Sequence, residues 1–421
     1  MKIAKAYFVS PDRSTGYGVV AISISFFVFA YSTRFGQVSI LAFYAVWFPL
    51  ILVDYRQSLG NYLKFHWIIG FAVLACLSVF WSAAPGATAR ACLQYASHIV
   101  CALIAARTMS VRTLTIGALG GVSLVVLYSL AFGQYSYDPL DNEYTFVGAF
   151  ASKNQLGFYA SLGIYFAFIL VFVLRERGVW RILAGICTML SGYALLVSHS
   201  ATSIISIAGT LGVMTGLGVI LLFAPHARKG LLLFGIVVGF GVALIGLNAG
   251  GLNLLLGAFG KNTTLTGRTY LWQQGLLAWH QAPLLGVGYY AYWVQGFADA
   301  ERLWQEFYIT ARTGFHFHNT YIETLVELGV VGLVLISTII LRVLLGHLTK
   351  LLDDRNDRTS YIMFGISMLL VVRSFFEVDV LNAYQVGSFL LYYAAGLLAT
   401  PQRANLPAYR AMRFRPGMRQ A

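Results

Sequence analysis

Four polar stretches interrupt an otherwise apolar sequence, and each carries residue types that can hold an anion or move a proton. In Gly148-Ala149-Phe150-Ala151-Ser152-Lys153-Asn154-Gln155, a lysine stands where an apolar helix is predicted to begin. Lys153 there adds its charge to the unpaired N–H groups of a helix N-terminus, which suits a phosphate; a lysine snorkelling to a lipid interface has the same signature. Thr266-Gly267-Arg268-Thr269-Tyr270-Leu271-Trp272 sets Arg268 just before a second helix, followed by Pro283-Leu284-Leu285-Gly286-Val287-Gly288. Arg268 is then either a phosphate ligand or a surface charge. The third stretch, Arg312-Thr313-Gly314-Phe315-His316-Phe317-His318-Asn319-Thr320-Tyr321-Ile322-Glu323, runs on to Glu327-Leu328-Gly329. Its alternating His316 and His318 could ligate zinc, but no cysteine, third histidine or HExxH pattern accompanies them. A general base at a helix start fits better, because a neutral imidazole can take a hydroxyl proton. Asn319, Glu323 and Glu327 follow at i, i+4 and i+8 on one helical stripe, and carboxylates there must face a bundle interior rather than lipid. In the fourth stretch, Arg373-Ser374-Phe375-Phe376-Glu377-Val378-Asp379, Arg373 and Glu377 are spaced to pair at i, i+4, and Glu377-Val378-Asp379 has the outline of a weak metal-binding acidic triplet.

The elements that position these groups are read from the apolar residues between them. Of 421 residues 58% are hydrophobic and 11% charged, against about 25% charged in a soluble domain. The apolar residues fall in blocks, such as Gly16 to Ser32, Val38 to Val53 and Ser161 to Leu174, of the length a hydrocarbon core of about 30 Å demands of a helix. The expected fold is an all-α polytopic membrane protein forming one domain over 1–421. About 12 spans are predicted, near 17–33, 37–53, 67–82, 89–106, 112–132, 154–174, 182–198, 201–224, 231–249, 319–341, 361–377 and 384–400. The basic start leads into the first span without a cleavage signal, so that span is expected to remain. Cys76, Cys92, Cys101 and Cys187 fall in or beside spans and read as packing residues.

An even number of spans puts both termini on one side. Most of the 29 Lys and Arg then share that side, including the basic tail after Pro401, and the positive-inside rule makes it the cytoplasm. The net charge of +13 is thereby explained by topology, with no call for nucleic acid. Eight cations fall on the outer side: Arg34, Arg90, Lys153, Lys261, Arg268, Arg302, Arg312 and Arg373. A cluster of arginines there points to a bound anion. The loop over 250–318 is too long to be structureless and is expected to hold short amphipathic helices, Thr269 to His280 among them, with its Trp and Tyr at the membrane interface.

In this order along the chain, the Lys153-Asn154 stretch, the Ser198-His199-Ser200-Ala201-Thr202 turn, the Gly267-Arg268 to Gly288 segment and His318-Asn319…Glu323…Glu327…Gly329 resemble the O-antigen ligase and O-antigen polymerase (Wzy-type) superfamily over about residues 140–390. Trp293-Val294-Gln295-Gly296, Arg312 to Asn319 and Arg373 to Asp379 look most like its exopolysaccharide polymerase branch. The resemblance implies a bacterial inner-membrane glycosyltransferase of the C-type fold, acting at the periplasmic face on an undecaprenyl-pyrophosphate-linked glycan with neither metal nor cofactor. By the same resemblance His318 corresponds to the catalytic histidine and Arg268 to the pyrophosphate arginine, with Arg312, Arg373 and Lys153 as further cations. Asn154, Asn319, Glu323, Glu327 and His316 are expected in support. Tyr289, Tyr290 and Trp293 could stack on sugars or sit in the lipid interface. Polymerase and lipid A core ligase share donor and base and differ in acceptor. A transporter for an anionic lipid is the rival of another class, and it would place its polar groups near the bilayer midplane.

Overall fold

The computed structural model describes residues 4–138, 143–251, 257 and 267–400. Lys261, Thr266 and the basic tail lie outside these. Among the described residues, nine helical stretches are long and apolar enough to cross a membrane: Thr15–Val53, Tyr55–Phe80, Pro85–Thr108, Val111–Phe132, Lys153–Val173, Val179–Val197, Ala201–Ile220, Pro225–Asn248 and Thr320–Asp353. Two shorter helices, Arg358–Ser374 and Val386–Ala399, complete the bundle.

The first stretch does not cross once in a straight line. Helix α1 (Thr15–Trp47) is broken at Gly36, whose φ of 60° and ψ of −148° no helix contains. The Tyr17 hydroxyl donates to the Val46 carbonyl, Trp47 Nε1 donates to Ser25 Oγ at 2.9 Å, and the Phe29 and Phe43 rings meet at 5.0 Å. In an unbroken helix Tyr17 and Val46 would stand about 44 Å apart. The chain therefore folds back on itself, as the separate apolar blocks on either side of Gly36 predict.

Helices α2 (His66–Leu77), α3 (Pro85–Thr108), α4 (Val111–Phe132), α5 (Lys153–Phe168), α6 (Val179–Val197), α7 (Ala201–Ile220), α8 (Pro225–Asn248), α11 (Thr320–Asp353), α12 (Arg358–Ser374) and α13 (Val386–Ala399) form the remainder of the bundle. In lipid, water does not drive helices together, so packing and interhelical hydrogen bonds averaging about 0.6 kcal/mol each must do so. Tyr31 Oη donates to the Val125 carbonyl at 2.7 Å, Tyr95 Oη to the Val380 carbonyl at 2.8 Å and Ser14 Oγ to the Thr108 carbonyl at 2.7 Å. Each ties together elements far apart in sequence.

The structure is mostly helical, as the all-α expectation has it, with one short hairpin besides: β1 (Gln134–Asp138) and β2 (Glu143–Gly148) pair antiparallel, Tyr137 opposite Tyr144. The alternation in Gln134-Tyr-Ser-Tyr-Asp is its signal in the sequence. Two expectations need correction. The span placed at 361–377 ends earlier, at Ser374. Arg373 and Glu377 do not pair with each other, as shown below. The long loop carries α9 (Arg268–Gln281) and α10 (Ala298–Glu306), and these close over their own apolar cluster of Leu271, Tyr292, Leu303, Trp304 and Phe317.

Candidate active site

The site lies where α9, the start of α11 and the end of α12 converge. Asn319 caps α11, its Oδ1 accepting from the backbone of Tyr321 at 2.9 Å and Ile322 at 3.1 Å, which satisfies two of the helix's orphan N–H groups. Its Nδ2 donates to the Phe375 carbonyl at 3.1 Å, and Thr320 Oγ1 donates to the Glu377 carbonyl at 2.8 Å. The cap therefore fixes the turn after α12 against the residue preceding it, His318. From the other side, Trp272 Nε1 on α9 donates to the Phe317 carbonyl at 3.0 Å, and Glu323 accepts from the Phe317 N–H at 2.7 Å.

Two of the sequence motifs meet in the support beneath. Helix α11 is interrupted at Gly329, with φ 62° and ψ −163°, a region that essentially only glycine enters. The Pro283-to-Gly288 segment lies against the break. Val287 and Gly288 N–H donate to the carbonyls of Val326 (3.0 Å) and Glu327 (2.9 Å), and Val330 N–H donates to the Pro283 carbonyl at 3.0 Å. A Cβ on Gly286 would come within 2.3 Å of the Glu327 backbone, and one on Gly329 within 2.3 Å of Leu284. The glycines at these positions let two backbones touch and exchange the hydrogen bonds the interrupted helix has lost.

Around this frame a single carboxylate gathers the polar groups. Glu377 Oε1 accepts from Arg268 Nη2 at 2.8 Å and from Asn154 Nδ2 at 2.8 Å, and Oε2 lies 3.3 Å from His318 Nδ1. Burial alone would raise the Glu377 pKa, but Arg268, His318 and His316 outweigh it and hold the carboxyl below its ordinary range. An ionised carboxylate only accepts, so His318 carries its proton on Nδ1 and turns Nε2 free of that bond. His318 sits in the left-handed region at φ 51°, a conformation that costs a non-glycine residue on the order of 1 kcal/mol.

His316 is held differently. Its Nδ1 accepts the His318 N–H at 3.1 Å, so its proton resides on Nε2. Desolvation, then the neighbouring His318 and Arg268, push its pKa down to about 3 despite the pull of Glu377. His316, His318 and Glu377 could also be read as a metal-ligand set, their ligand atoms lying within 4.8 Å of one another. The chemistry fits poorly: the Nδ1 lone pair of His316 is engaged by a backbone N–H, and Arg268 already neutralises the one carboxylate.

Of the expected residues, Arg268, His316, His318, Asn319 and Asn154 are brought together here, with Lys153 beside Asn154 at the first turn of α5. The others separate from them. Arg373 is sealed in, 1% exposed, donating to Asp379 at 2.6 Å and Ser203 at 3.1 Å with the Phe158 ring 3.9 Å away. The i, i+4 side-chain pair does not form because Arg373 is engaged by Asp379 and Glu377 by Arg268, Asn154 and His318. Arg312 pairs with Glu301 at 2.8 Å and is half exposed. Glu323 braces the backbone, and Glu327 is buried one turn further along α11. Tyr289 is fully buried, donates to the Leu381 carbonyl and is not open to a sugar; Trp293 is partly buried against Trp304, Phe315 and Phe317, and Tyr290 is exposed. Glu377 itself was not among the expected site residues. Its partners lie 59, 109 and 223 residues away, and no local spacing encodes them.

Residues 186–337 match the O-antigen ligase family. Across 403 residues the chain is 56% identical to the exopolysaccharide production protein ExoQ of Rhizobium meliloti (strain 1021), an alignment that covers 96% of this chain and 93% of that protein. With its apolar helices, this makes the chain an integral membrane protein, and it belongs to the O-antigen ligase family, in the company of a protein of exopolysaccharide production.

Proposed function

We propose that the protein is a metal-independent inverting glycosyltransferase of the bacterial inner membrane, joining undecaprenyl-pyrophosphate-linked oligosaccharide units into exopolysaccharide at the periplasmic face. The single observation that carries the reading is that the Arg268 guanidinium and the His318 imidazole meet on one carboxylate. An anion site and a base thus lie within one side chain's width. Arg268, with Lys153 adding charge nearby, would hold the donor pyrophosphate and stabilise the negative charge that grows on it. An acceptor sugar hydroxyl attacks the anomeric carbon, its proton passes to His318 Nε2, and the carbon–oxygen bond to the pyrophosphate breaks with its electron pair leaving on phosphate. One displacement inverts the anomeric centre.

Twelve spans with both termini cytoplasmic follow if the α1 hairpin counts twice and α12 and α13 each cross. The charge distribution supports this orientation. A cysteine at Asn262 should then react with a membrane-impermeant thiol reagent in outer-permeabilised cells; labelling only after the inner membrane is broken would reverse the topology. Polymerisation is favoured over transfer to lipid A core by the printed role of the relative in exopolysaccharide production. In a deletion strain, single repeat units should accumulate on the lipid carrier. Full-length chains stranded on the carrier would identify a ligase instead.

A further inference from the structure

We infer that Glu377 is a positioning residue shared between the anion site and the base, and that a pyrophosphate arriving at Arg268 displaces the carboxylate there and leaves it to His318. The inference rests on the glycosyl-transfer reading above and adds an order of events to it. The carboxylate is divided. Oε1 is held at 2.8 Å by Arg268, the full length of a charge-assisted bond, while Oε2 is 3.3 Å from His318 Nδ1, longer than such a bond prefers. A phosphate oxygen that reaches Arg268 competes with Oε1 for the same N–H. The guanidinium need not move when the carboxylate is displaced, because Nη1 is also held by the Phe376 carbonyl at 2.7 Å.

The displaced carboxylate has somewhere to go and little freedom to go elsewhere. Its backbone is pinned by Thr320 Oγ1 at the carbonyl and by the Arg373 carbonyl at the N–H, each 2.8 Å away. Asn154 Nδ2 keeps its hold on Oε1, and that amide is oriented by Ser200 Oγ, which donates to Oδ1 at 2.9 Å. With Arg268 occupied by donor, the charge of Glu377 falls on the His318 Nδ1–H. That strengthens Nε2 as a proton acceptor and stabilises the imidazolium formed in the reaction. The base is thus fully armed only when donor is present.

The test separates binding from turnover, using undecaprenyl pyrophosphate as the binding probe and lipid-linked oligosaccharide as substrate. Glu377→Gln removes the internal anion and should bind undecaprenyl pyrophosphate as tightly as wild type or up to about tenfold tighter, while turnover falls by about 10²-fold. Glu377→Asp should recover at least about a tenth of wild-type turnover. In the wild-type protein, selectively 15N-labelled histidine, assigned by His318→Gln, should show the His318 Nδ1–H proton moving downfield when the probe is added, a measurement that holds even if the Gln variant does not fold. Folded Glu377→Gln with unchanged turnover, lost binding alongside lost turnover, or an unmoved His318 signal at saturating probe overturns the sharing alone. A wild-type protein that does not bind undecaprenyl pyrophosphate overturns the functional reading, and this inference with it.

Discussion

Two arginine–carboxylate pairs stand side by side in different surroundings. Glu377 and Asp379 are two residues apart in sequence, and Glu377, which holds Arg268, is linked to Arg373 of the other pair through Asn154, Ser200 and Ser203, each successive contact 3.1 Å or less. Arg373 is roofed by Phe158 and 1% exposed. Arg268 is 14% exposed, and its carboxylate also faces a histidine. Under the proposed reading the same bond is a strut in one place and part of a site in the other. The arginines differ in access, the carboxylates do not differ in that sense (Asp379 is 18% exposed and Glu377 7%), and only Glu377 also faces a histidine. A buried pair is weak evidence of stability, since ordering and desolvation offset the attraction, but breaking one half of it is costly.

The largest effect should come at the point where the two pairs differ most. His318 has no counterpart beside Asp379, and removing a general base lowers rate by typically 10² to 10⁴. His318→Ala should accordingly lose at least about 10²-fold in turnover with donor affinity within a few-fold, and His316→Ala should lose much less because its Nδ1 only receives a backbone N–H. Single-turnover rates and donor binding on folded protein measure both. Activity that survives His318→Ala and vanishes with His316→Ala would transfer the role to His316.

The next largest effect divides the pairs by stability. Arg373→Met takes the cation from Asp379, whose side chain is 18% exposed, and should cost about 3 kcal/mol, the low end for a broken buried pair. Asp379→Leu in the same chain should recover most of that and keep activity. The matching double variant, Arg268→Met with Glu377→Leu, should fold and be inactive. Unfolding midpoints and turnover of the four proteins decide it. A folded but inactive Arg373→Met/Asp379→Leu protein would return Arg373 to the chemistry, where its motif in the sequence first placed it.

Much of this frame is legible along the chain, and the reason is that lipid imposes local rules. Apolar blocks on either side of Gly36 and of the Ser198-to-Ser200 turn mark helix ends because a bilayer core sets span length. His318-Asn319 marks a helix start because capping is a bond between neighbours. The motif residues Gly286, Gly288 and Gly329 could be seen as special, yet their meeting could not, since the backbone contact spans more than forty residues and involves no side-chain pattern. Glu377 was hidden for the same reason in stronger form: a carboxylate announces nothing about partners on three other elements, and the nearest cation in sequence, Arg373, is the wrong one.

The smallest effect is expected at Arg312, which sequence reasoning placed with the pyrophosphate cations. Its guanidinium is bound to Glu301 at 2.8 Å on a side chain 51% exposed, and solvent-exposed pairs of this kind contribute about 0 to 1 kcal/mol. It also holds a left-handed backbone at φ 49°, a strain that an alanine there would bear as well. Arg302 on α10 behaves likewise, hydrogen-bonded to Glu306 and Gln274, so this segment carries arginines that serve its own carboxylates. Arg312→Ala should therefore change unfolding by less than about 1 kcal/mol and donor affinity by less than about threefold, and 0.5 M salt should erase the difference because exposed pairs are screened. A loss of donor affinity of tenfold or more, persisting in salt, would mean that Arg312 leaves Glu301 to grip the donor, and the contrast between an open pair that works and a pair that merely braces would then have to include a third, mobile arginine.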